Sequence, residues 1–430
     1  MKDRLNCKIA SKCGGCRYTA CSYQESLKAK EKAVSDLLRR FAVPEPIVGM
    51  PDPFHYRNKV HHVFVQKKDG TVTSGFYEEG TRKVVPAEAC LLEDSRALAV
   101  INTIERLVRS FRYTVYDEFR KNGLFRHVLV RTAHSTGEIL VVLVLTSPIL
   151  PGKNDFVKAL IAAHPEITTV VLNVNGRNSG MVLGNTFKIL YGPGFIRDRL
   201  RGLSFTLSPS AFYQVNSRMT EKLYAAVAEF ADLTGRETVI DAYSGIGTIG
   251  LSVARSAGRV IGIELNPAAV KDAVRNARQN RIENARFFTG DAGDFLVKMA
   301  AAGEKADVVL MDPPRSGATE TFMDAVIRMA PEKVIYVSCN PETLARDLDY
   351  FSDHGYAVKR LRPYDMFCWT EHVETVVQIS KGTQPAKYVR VEFNLEEMDM
   401  SGFQYGASYK KIQKWIEEKY GFHVSDLNIA

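Results

Sequence analysis

The segment Val239-Ile-Asp-Ala-Tyr-Ser-Gly-Ile-Gly-Thr-Ile-Gly250 decides the fold of this chain. Its first three residues end an apolar, β-branched run, two glycines follow, and an apolar helical pattern begins at Ile249. A strand, a glycine turn and a helix in this order are the nucleotide-binding layout of an open α/β sheet. The spacing of Gly245, Gly247 and Gly250 suits NAD as well as other nucleoside cofactors, so the turn alone leaves both open.

The strands predicted downstream each end in a polar residue. These ends are Glu264, Asp291, Asp312 and Cys339. Open α/β sheets bind ligands at the carboxyl ends of their strands, so we expect these side chains to line one crevice together with Asp241. Two prolines follow Asp312 and make the loop after that strand rigid.

Cys339 is the candidate nucleophile in this crevice. A free cysteine is usually a small buried apolar side chain. Cys339, however, lies at a strand end, before a rigid Asn-Pro turn and a helix whose N-terminal dipole favours the thiolate. Glu374 leads into a later apolar strand, which predicts a general base with a raised pKa; the alternative is a solvent-facing loop carboxylate.

Composition and charge limit the class of protein. The 430 residues predict two or three domains, and 57 Lys and Arg against 49 acids give a formal net charge of +8. This excess permits a polyanionic partner without requiring one. No apolar run is long enough to span a bilayer, and the first residues lack the core of a signal peptide. We expect a cytoplasmic protein with no membrane segment, and infer no obligate protein partner.

The N-terminal cysteines predict a metal or cluster site. The chain has 7 cysteines, three of them in the pattern Cys7-x5-Cys13-Gly-Gly-Cys16. In a reducing compartment this grouping favours metal binding over disulfides. Four thiolates suit an iron–sulfur cluster, and Cys21 and Cys90 are both candidates for the fourth ligand. Zinc also accepts four cysteines, but no Cys-x2-Cys pair recurs downstream.

The region between the cysteines and the glycine turn is less specific. Residues 23–41 read as a helix with lysines, Lys30 among them, on its polar face. A β-rich α+β domain follows, in which Arg57 and Lys59 beside aromatic residues could contact RNA. A charged outer sheet face explains the same pattern more simply. Phe212 and Gln214 lie in a polar, aromatic turn that reads, by itself, as a helix cap.

Taken together, these segments resemble the RNA 5-methyluridine methyltransferases, in the branch that carries an iron–sulfur cluster and modifies 23S ribosomal RNA. The resemblance extends from Cys7 to about Lys381. Its motifs occur in order along the chain: Cys-x5-Cys-Gly-Gly-Cys, Phe-Tyr-Gln-Val-Asn, Asp-Pro-Pro-Arg, Ser-Cys-Asn-Pro and His-Val-Glu-Thr.

The resemblance implies a role for each matching residue. Cys339 corresponds to the nucleophile and Glu374 to the base, while Phe212 is placed to stack on or near the target uracil. The residues that match S-adenosylmethionine-binding positions, or line the same crevice, are Gln214, Tyr243, Glu264, Asp312, Asp241, Gly245 and Asp291. The family's cluster ligands match Cys7, Cys13 and Cys16, and its distant fourth ligand selects Cys90 over Cys21 for a [4Fe-4S] cluster.

The implied fold is α/β, with a Rossmann-like S-adenosylmethionine-dependent methyltransferase domain and an N-terminal and central α+β part that holds the iron–sulfur site. We predict a cysteine-rich segment and helix over 1–53, a central RNA-binding domain over 54–205 and the methyltransferase domain over 206–382. An extension of unknown role, with a predicted helix over 408–419, covers 383–430.

Two departures from the family pattern stand out. Many relatives begin with a small β-barrel RNA-binding domain, which we do not find ahead of Cys7. In addition, Cys368 and Trp369 stand where Pro and His are usual, which puts the conformation of the loop before Glu374 in doubt.

Three alternatives remain for function. The tRNA branch of the family typically lacks the cluster, so the cysteines favour ribosomal RNA. An iron–sulfur RNA-binding protein with an inactive methyltransferase fold would not need Cys339, Asp312 and Glu374 intact. An NAD-dependent oxidoreductase built on the glycine turn offers no role for Ser-Cys-Asn-Pro.

Overall fold

The structure is a computed structural model that describes residues 4–176 and 181–382, all within the compact unit Met1–Pro385. The predicted extension over 383–430 and its helix lie outside the described residues. The helices of the described part are α1 (Ala10–Cys13), α2 (Tyr23–Leu38), α3 (Ser95–Ser110), α4 (Lys153–Ala163), α5 (Ser217–Ala231), α6 (Thr248–Val253), α7 (Pro267–Gln279), α8 (Ala292–Ala301), α9 (Glu320–Met329) and α10 (Pro341–Asp353).

The central part is built on a seven-stranded sheet. Its strands are β1 (Lys59–Gln66), β2 (Val72–Tyr77), β3 (Val84–Pro86), β4 (Phe125–Thr132), β5 (Ile139–Leu145), β6 (Ile167–Val174) and β7 (Thr186–Tyr191). They lie in the order β3-β2-β1-β4-β5-β6-β7 and are antiparallel except for β5 and β6. Residues of α3 and α4 bury one face of this sheet, as expected for an α+β domain.

A short hairpin connects this sheet to the second one. It consists of β8 (Ile196–Leu200) and β9 (Leu203–Leu207). The N–H groups of Ser204 and Thr206 donate to the side chains of Asn280 and Asn276 at the end of α7, each at 2.8 Å. The boundary predicted at 205/206 therefore falls inside β9, in a hairpin that is fastened to the methyltransferase part.

The second sheet has the doubly wound form that the glycine turn predicts. Its strands are β10 (Thr238–Ala242), β11 (Arg259–Glu264), β12 (Ala285–Thr289), β13 (Val308–Met311), β14 (Lys333–Ser338), β15 (Tyr356–Tyr364) and β16 (Glu374–Lys381). The order is β12-β11-β10-β13-β14-β16-β15, and the first five strands are parallel. The chain reverses its direction of winding between β10 and β13, which makes that gap the topological switch point.

The last two strands depart from the parallel pattern. β16 lies between β14 and β15 and runs antiparallel to both. A strand of opposite direction begins at the edge where its parallel neighbours end. The first residue of β16, Glu374, is therefore placed at the carboxyl edge of the sheet. The sequence predicts the strand that follows Glu374 but not β15 or the pairing of β16.

Close packing in the glycine turn yields a prediction about stability. The Gly250 N–H donates to Asp241 Oδ2 at 2.8 Å, and a Cβ on Gly250 would lie 2.6 Å from the same oxygen. Gly250→Ala is expected to lower the free energy of unfolding by about 1–3 kcal/mol, because the carboxylate must move in a packed core. Ser252→Ala in the same helix is the matched control, with a change below about 0.5 kcal/mol. Equal denaturation midpoints for the two variants would contradict this packing.

Candidate functional site

The residues predicted for the crevice lie along one edge of the second sheet, on adjacent strands. Asp291 follows β12, Glu264 ends β11 and Asp241 lies near the end of β10. Asp312 follows β13, and Tyr243 follows β10 directly opposite it across the switch point. The structure thus brings together the acids that the sequence pattern predicts, in the order that the strands take in the sheet.

The glycine turn is closed by acids. Glu264 accepts the Gly245 N–H at 2.9 Å and the Asn266 N–H at 2.7 Å, while Asp241 accepts the Gly250 N–H. Gly245 has a φ of 56°, a left-handed conformation that glycine adopts without strain. Because carboxylates already occupy these N–H groups, the turn presents negative charge where a pyrophosphate-binding turn presents bare N–H donors.

Tyr243 and Asp291 complete this side of the crevice. Tyr243 has a φ of 64°, unusual for a bulky residue, and its half-buried ring packs against Phe322 with ring centroids 5.3 Å apart. Asp291 is exposed and caps α8 by accepting the Asp294 N–H at 3.1 Å.

The pKa values of two acids of the crevice, Asp241 and Asp312, are raised. Burial raises the pKa of Asp241 to about 7, and Asp312 and Glu264 add to the effect. The pKa of Asp312 is also raised by burial. Carboxylates that cannot all be solvated favour a ligand that brings positive charge. A perturbed group in a cleft is a general mark of a functional site.

Cys339 lies in a turn that is tied to the Asp-Pro-Pro-Arg loop. Asn340 caps α10 by accepting the Glu342 N–H at 3.0 Å, and its Nδ2 donates to the Arg315 carbonyl at 3.4 Å. The Thr343 hydroxyl donates to the same carbonyl at 3.2 Å. The half-buried thiol is thereby held beside the loop that carries Asp312 and Arg315.

The register of the sheet places Glu374 beside Cys339. Ser338 at the end of β14 is the partner of Thr375 in β16. Because the two strands are antiparallel, Cys339 after Ser338 and Glu374 before Thr375 face each other at the same edge. Glu374 is buried, and its Oε2 has no hydrogen-bond partner among the residues that the structure describes. Burial and the nearby Asp312 raise its pKa, whereas Arg315 lowers it. A raised pKa at this position agrees with the expectation from the sequence.

The expected effect on Cys339 was wrong in sign. The dipole of α10 predicts a lowered thiol pKa, yet the pKa of Cys339 is raised to about 11. Burial is the main cause, the carboxylates of Glu374 and Asp312 raise it further, and Arg315 opposes them. A partial charge at a helix end is outweighed by desolvation and two full negative charges. Arg315, the last residue of the Asp-Pro-Pro-Arg motif, is a charged neighbour of the thiol. The sequence pattern by itself does not indicate this role for Arg315.

The loop before Glu374 has a fixed conformation despite its two departures from the family pattern. Trp369 is fully buried with a φ of 69°, and its Nε1 donates to the Pro53 carbonyl at 3.0 Å. Its ring packs between Tyr23 and Phe54 at centroid distances of 5.4 and 5.6 Å. Cys368 is buried beside Tyr23, with the two side-chain heteroatoms 3.6 Å apart.

The turn that contains Gln214 is held by the central sheet region. Gln214 is buried, and its carbonyl accepts Asn58 Nδ2 at 3.0 Å. Arg131, fully buried in β4, donates to the Ala211 carbonyl at 2.6 Å. Phe212 between them is 63% exposed, which leaves its ring free to stack on a ligand.

Arg57 lies near Cys16 and the loop before Glu374, and Lys59 follows two residues later at the start of β1. Both are half-buried, and Arg57 interacts with Cys16 and with His372. Lys59 pairs across the strands with Arg131. Burial and these two arginines lower the pKa of Lys59 to about 8. A group of cations that repel one another suits an anionic partner.

The predicted cluster ligands influence one another electrostatically. Burial raises the pKa of Cys16 to about 12, and Cys90, Cys13 and Cys7 add to the effect in that order. Cys13 accepts a hydrogen bond from the Gly15 N–H, and Cys90 accepts from Leu92 and Glu93. Cys21 instead adds to the effect of burial in raising the pKa of Tyr18. Even so, within residues 4–176 and 181–382 no three His, Cys, Asp or Glu side chains are arranged to hold a metal ion.

No helix in the described ranges combines the length and the apolar character needed to span a bilayer.

Comparisons with known proteins identify the family. The model for tRNA (uracil-5-)-methyltransferases matches residues 22–382. An RNA methyltransferase of Halalkalibacterium halodurans, named as uncharacterized, is 40% identical over 381 residues, covering 87% of this chain and 83% of its own. A similarly named protein of Clostridium tetani is 38% identical over 375 residues, covering 86% and 81%.

A solved structure extends the likeness to the fold. It is the Pyrococcus abyssi tRNA (uracil-54, C5)-methyltransferase in complex with S-adenosyl-L-homocysteine, 26% identical to this chain. The alignment has a TM-score of 0.72 and covers 88% of this chain and 86% of that one. The chain therefore belongs to the tRNA (uracil-5-)-methyltransferase family, as an RNA methyltransferase that uses S-adenosylmethionine.

Proposed function

We propose that this chain transfers a methyl group from S-adenosylmethionine to C5 of a uridine in 23S ribosomal RNA, with Cys339 as nucleophile and Glu374 as base. The main support for the proposal is the register of β14 and β16, in which these two residues face each other at the edge of the crevice. Both side chains also lie within electrostatic reach of each other and of Asp312.

The first step makes C5 of the uracil nucleophilic. The Cys339 thiolate bonds to C6, and the C5=C6 electron pair becomes an enolate that spreads over C5 and the C4 oxygen. C5 then bonds to the methyl carbon, and the sulfonium sulfur leaves as the neutral thioether of S-adenosylhomocysteine. The raised pKa of the Cys339 thiol disfavours the thiolate in the protein without ligand. The positive charges of the cosubstrate and of Arg315 act in the opposite direction and favour formation of the thiolate.

The second step restores the aromatic ring. The Glu374 carboxylate takes the proton from C5, the C–H electron pair re-forms C5=C6, and the C6–S bond breaks with its electrons returning to Cys339. A buried carboxylate whose pKa is raised is a stronger base than a solvated one. Within the described part of the chain, its Oε2 has no hydrogen-bond donor that the substrate would need to displace.

The crevice suits a cationic cosubstrate better than a dinucleotide. Asp241, Glu264 and Asp312 surround the switch point, and the sulfonium and amino groups of S-adenosylmethionine would offset their repulsion. Gln214, Tyr243, Gly245 and Asp291 would complete the binding set. A pyrophosphate would meet carboxylates on the N–H groups of the turn, which argues against the NAD-dependent alternative.

The RNA must present its target base outside any stack before the thiolate can reach C6. Phe212 is exposed next to Gln214 and would stack on or beside the extruded uracil. Arg57 and Lys59 would bind neighbouring phosphates. tRNA is the alternative substrate, and the acceptor named for the Pyrococcus abyssi protein favours it.

We further propose that Cys7, Cys13, Cys16 and Cys90 hold a [4Fe-4S] cluster. Each cysteine of such a cluster binds a different iron, so its thiolates stand further apart than around one zinc ion. The N–H groups that donate to Cys13 and Cys90 fit sulfurs that carry negative charge. Methyl transfer is redox-neutral, so the cluster would act as a structural link between the N-terminal segment and the Cys90 loop.

The proposed chemistry is tested with labelled S-adenosylmethionine and unmodified 23S and tRNA transcripts. Cys339→Ala is expected to lower methyl transfer by about 10⁴-fold or more, because the substitution removes the group that attacks C6. Glu374→Gln is expected to form a methylated protein–RNA adduct that persists on a denaturing gel. Cys21→Ala is the control and keeps wild-type transfer.

Methyl transfer that survives in Cys339→Ala would refute the nucleophile assignment. A wild-type protein that binds both RNAs and methylates neither would instead support the inactive RNA-binding alternative. Transfer confined to tRNA would move the substrate to the tRNA branch.

The charges around Cys339 predict how its reactivity depends on pH. Alkylation of the Cys339 peptide by iodoacetamide, followed by mass spectrometry, is expected to rise up to about pH 11. Asp312→Asn removes a negative neighbour and is expected to move the rise to lower pH. Arg315→Gln removes the positive neighbour and moves it to higher pH. Arg255→Gln, remote from the crevice, leaves the curve unchanged; shifts of the same sign for Asp312→Asn and Arg315→Gln would contradict these electrostatics.

The cluster proposal predicts iron rather than zinc in protein purified without oxygen. We expect about four irons and four sulfides per chain and broad visible absorption. Cys16→Ser is expected to lose the iron, whereas Cys21→Ser retains it. One equivalent of zinc in place of iron, or equal loss in both variants, would refute this ligand set.

A further inference from the structure

We propose that Lys30 is the positioning residue for Glu374, acting through the loop between β15 and β16. This inference rests on the proposed role of Glu374 as the base. Lys30 lies in α2, far from the crevice in sequence, and its side chain is completely buried. The helical pattern places it among exposed lysines, so the structure reverses the expectation for this residue.

Each hydrogen of the Lys30 ammonium has one acceptor, and all three acceptors belong to the loop. Nζ donates to Asp365 Oδ1 at 2.5 Å, to the Phe367 carbonyl at 3.0 Å and to the His372 carbonyl at 2.9 Å. Asp365 immediately follows β15, and His372 is two residues before Glu374. One ammonium group therefore ties the two ends of the loop together, next to the base.

Three further acceptors of the loop bind donors from outside it. The Met366 carbonyl accepts Asn216 Nδ2 at 3.0 Å, and the Cys368 carbonyl accepts the Tyr56 hydroxyl at 3.1 Å. Asp365 Oδ2 accepts the Tyr23 hydroxyl at 2.6 Å. Donors on other elements thus occupy the carbonyls of Met366, Phe367, Cys368 and His372, so the conformation of this loop depends on those elements.

The cysteine-rich segment donates to this loop as well. The N–H groups of Arg17 and Tyr18 both donate to the Trp369 carbonyl, at 3.0 and 3.2 Å. Arg17 directly follows Cys16, and its side chain forms an ion pair with Glu371 at 3.6 Å. Lys30 and this segment hold the loop from two directions, and Lys30 contacts both of its ends.

The proposed arrangement predicts a defect in one step of the reaction. If the loop moves, Glu374 loses its position beside C5 while Cys339, in the turn directly after β14, keeps its own. The methylated adduct then forms, but the C5 proton is removed slowly, so the C6–S bond persists. A displacement of about 1 Å is enough to slow such a transfer by about 100-fold.

The test compares two paired substitutions, each of which removes one lysine of α2 and its carboxylate partner. Replacing Lys30 alone would leave the Asp365 charge buried and uncompensated, which destabilises the fold. The variant Lys30→Met with Asp365→Leu removes both charges and restores apolar packing. The matched control, Lys32→Met with Asp36→Leu, removes the exposed ion pair one turn along the helix, whose side chains are 75% and 59% exposed.

We expect the buried-pair variant to melt within about 5 °C of the wild type. Its turnover is expected to fall about 10- to 100-fold, with the KM for RNA changed less than about threefold. The methylated adduct should accumulate as it does in Glu374→Gln, at a rate of formation close to that of the wild type. The exposed-pair control should match the wild type in every measurement.

Wild-type turnover in the buried-pair variant without adduct would overturn the positioning role. An equal fall in adduct formation and turnover would also overturn it, because that result marks a general loss of structure. These results differ from failure of the proposed function, in which Cys339→Ala stays active or Glu374→Gln accumulates no adduct.

Discussion

The antiparallel insertion of β16 between β14 and β15 is the constraint on which the site depends. In a sheet of parallel strands only, residues that precede a strand lie at one edge and residues that follow a strand lie at the opposite edge. Reversal of β16 brings Glu374 to the edge where β14 delivers Cys339, with Ser338 and Thr375 as partners in the register. The proposed base and the proposed nucleophile, with 34 residues between them in the sequence, thereby face one crevice.

Electrostatics gives this crevice its chemical character. The switch point gathers carboxylates whose burial and mutual repulsion raise their pKa values, and the neighbouring thiol shares the effect. Such a site is poorly satisfied without a positive ligand. Binding of a sulfonium would relieve the repulsion and favour the Cys339 thiolate in one event, so the proposed nucleophile would be activated when the methyl donor is present. Arg315 contributes a fixed positive charge for the same purpose.

Local patterns in the sequence predict the parallel half of the site and fail for the rest. The glycine turn and the strand ends at Glu264, Asp312 and Cys339 follow from periodicity, because each strand carries its own signal. The burial of Lys30 does not follow, since its acceptors lie more than 300 residues away and the helix pattern treats it as exposed. The sign of the shift in the thiol pKa does not follow from the sequence either, because the burial of Cys339 and the number of carboxylates around it depend on strand pairing. The resemblance to the RNA 5-methyluridine methyltransferases implies roles for Cys339 and Glu374. The neighbours of these two residues follow only from the fold.

The most direct test of the account is to trap the enzyme with RNA that carries 5-fluorouridine and to determine the structure of the product. Fluorine at C5 cannot be removed as a proton, so the reaction stops after methyl transfer with the ring still bonded to the protein. We predict a covalent bond from Cys339 Sγ to C6, with a Glu374 carboxylate oxygen within hydrogen-bond reach of the C5 substituent. An adduct at another cysteine, or a Glu374 carboxylate that points away from C5, would contradict the account.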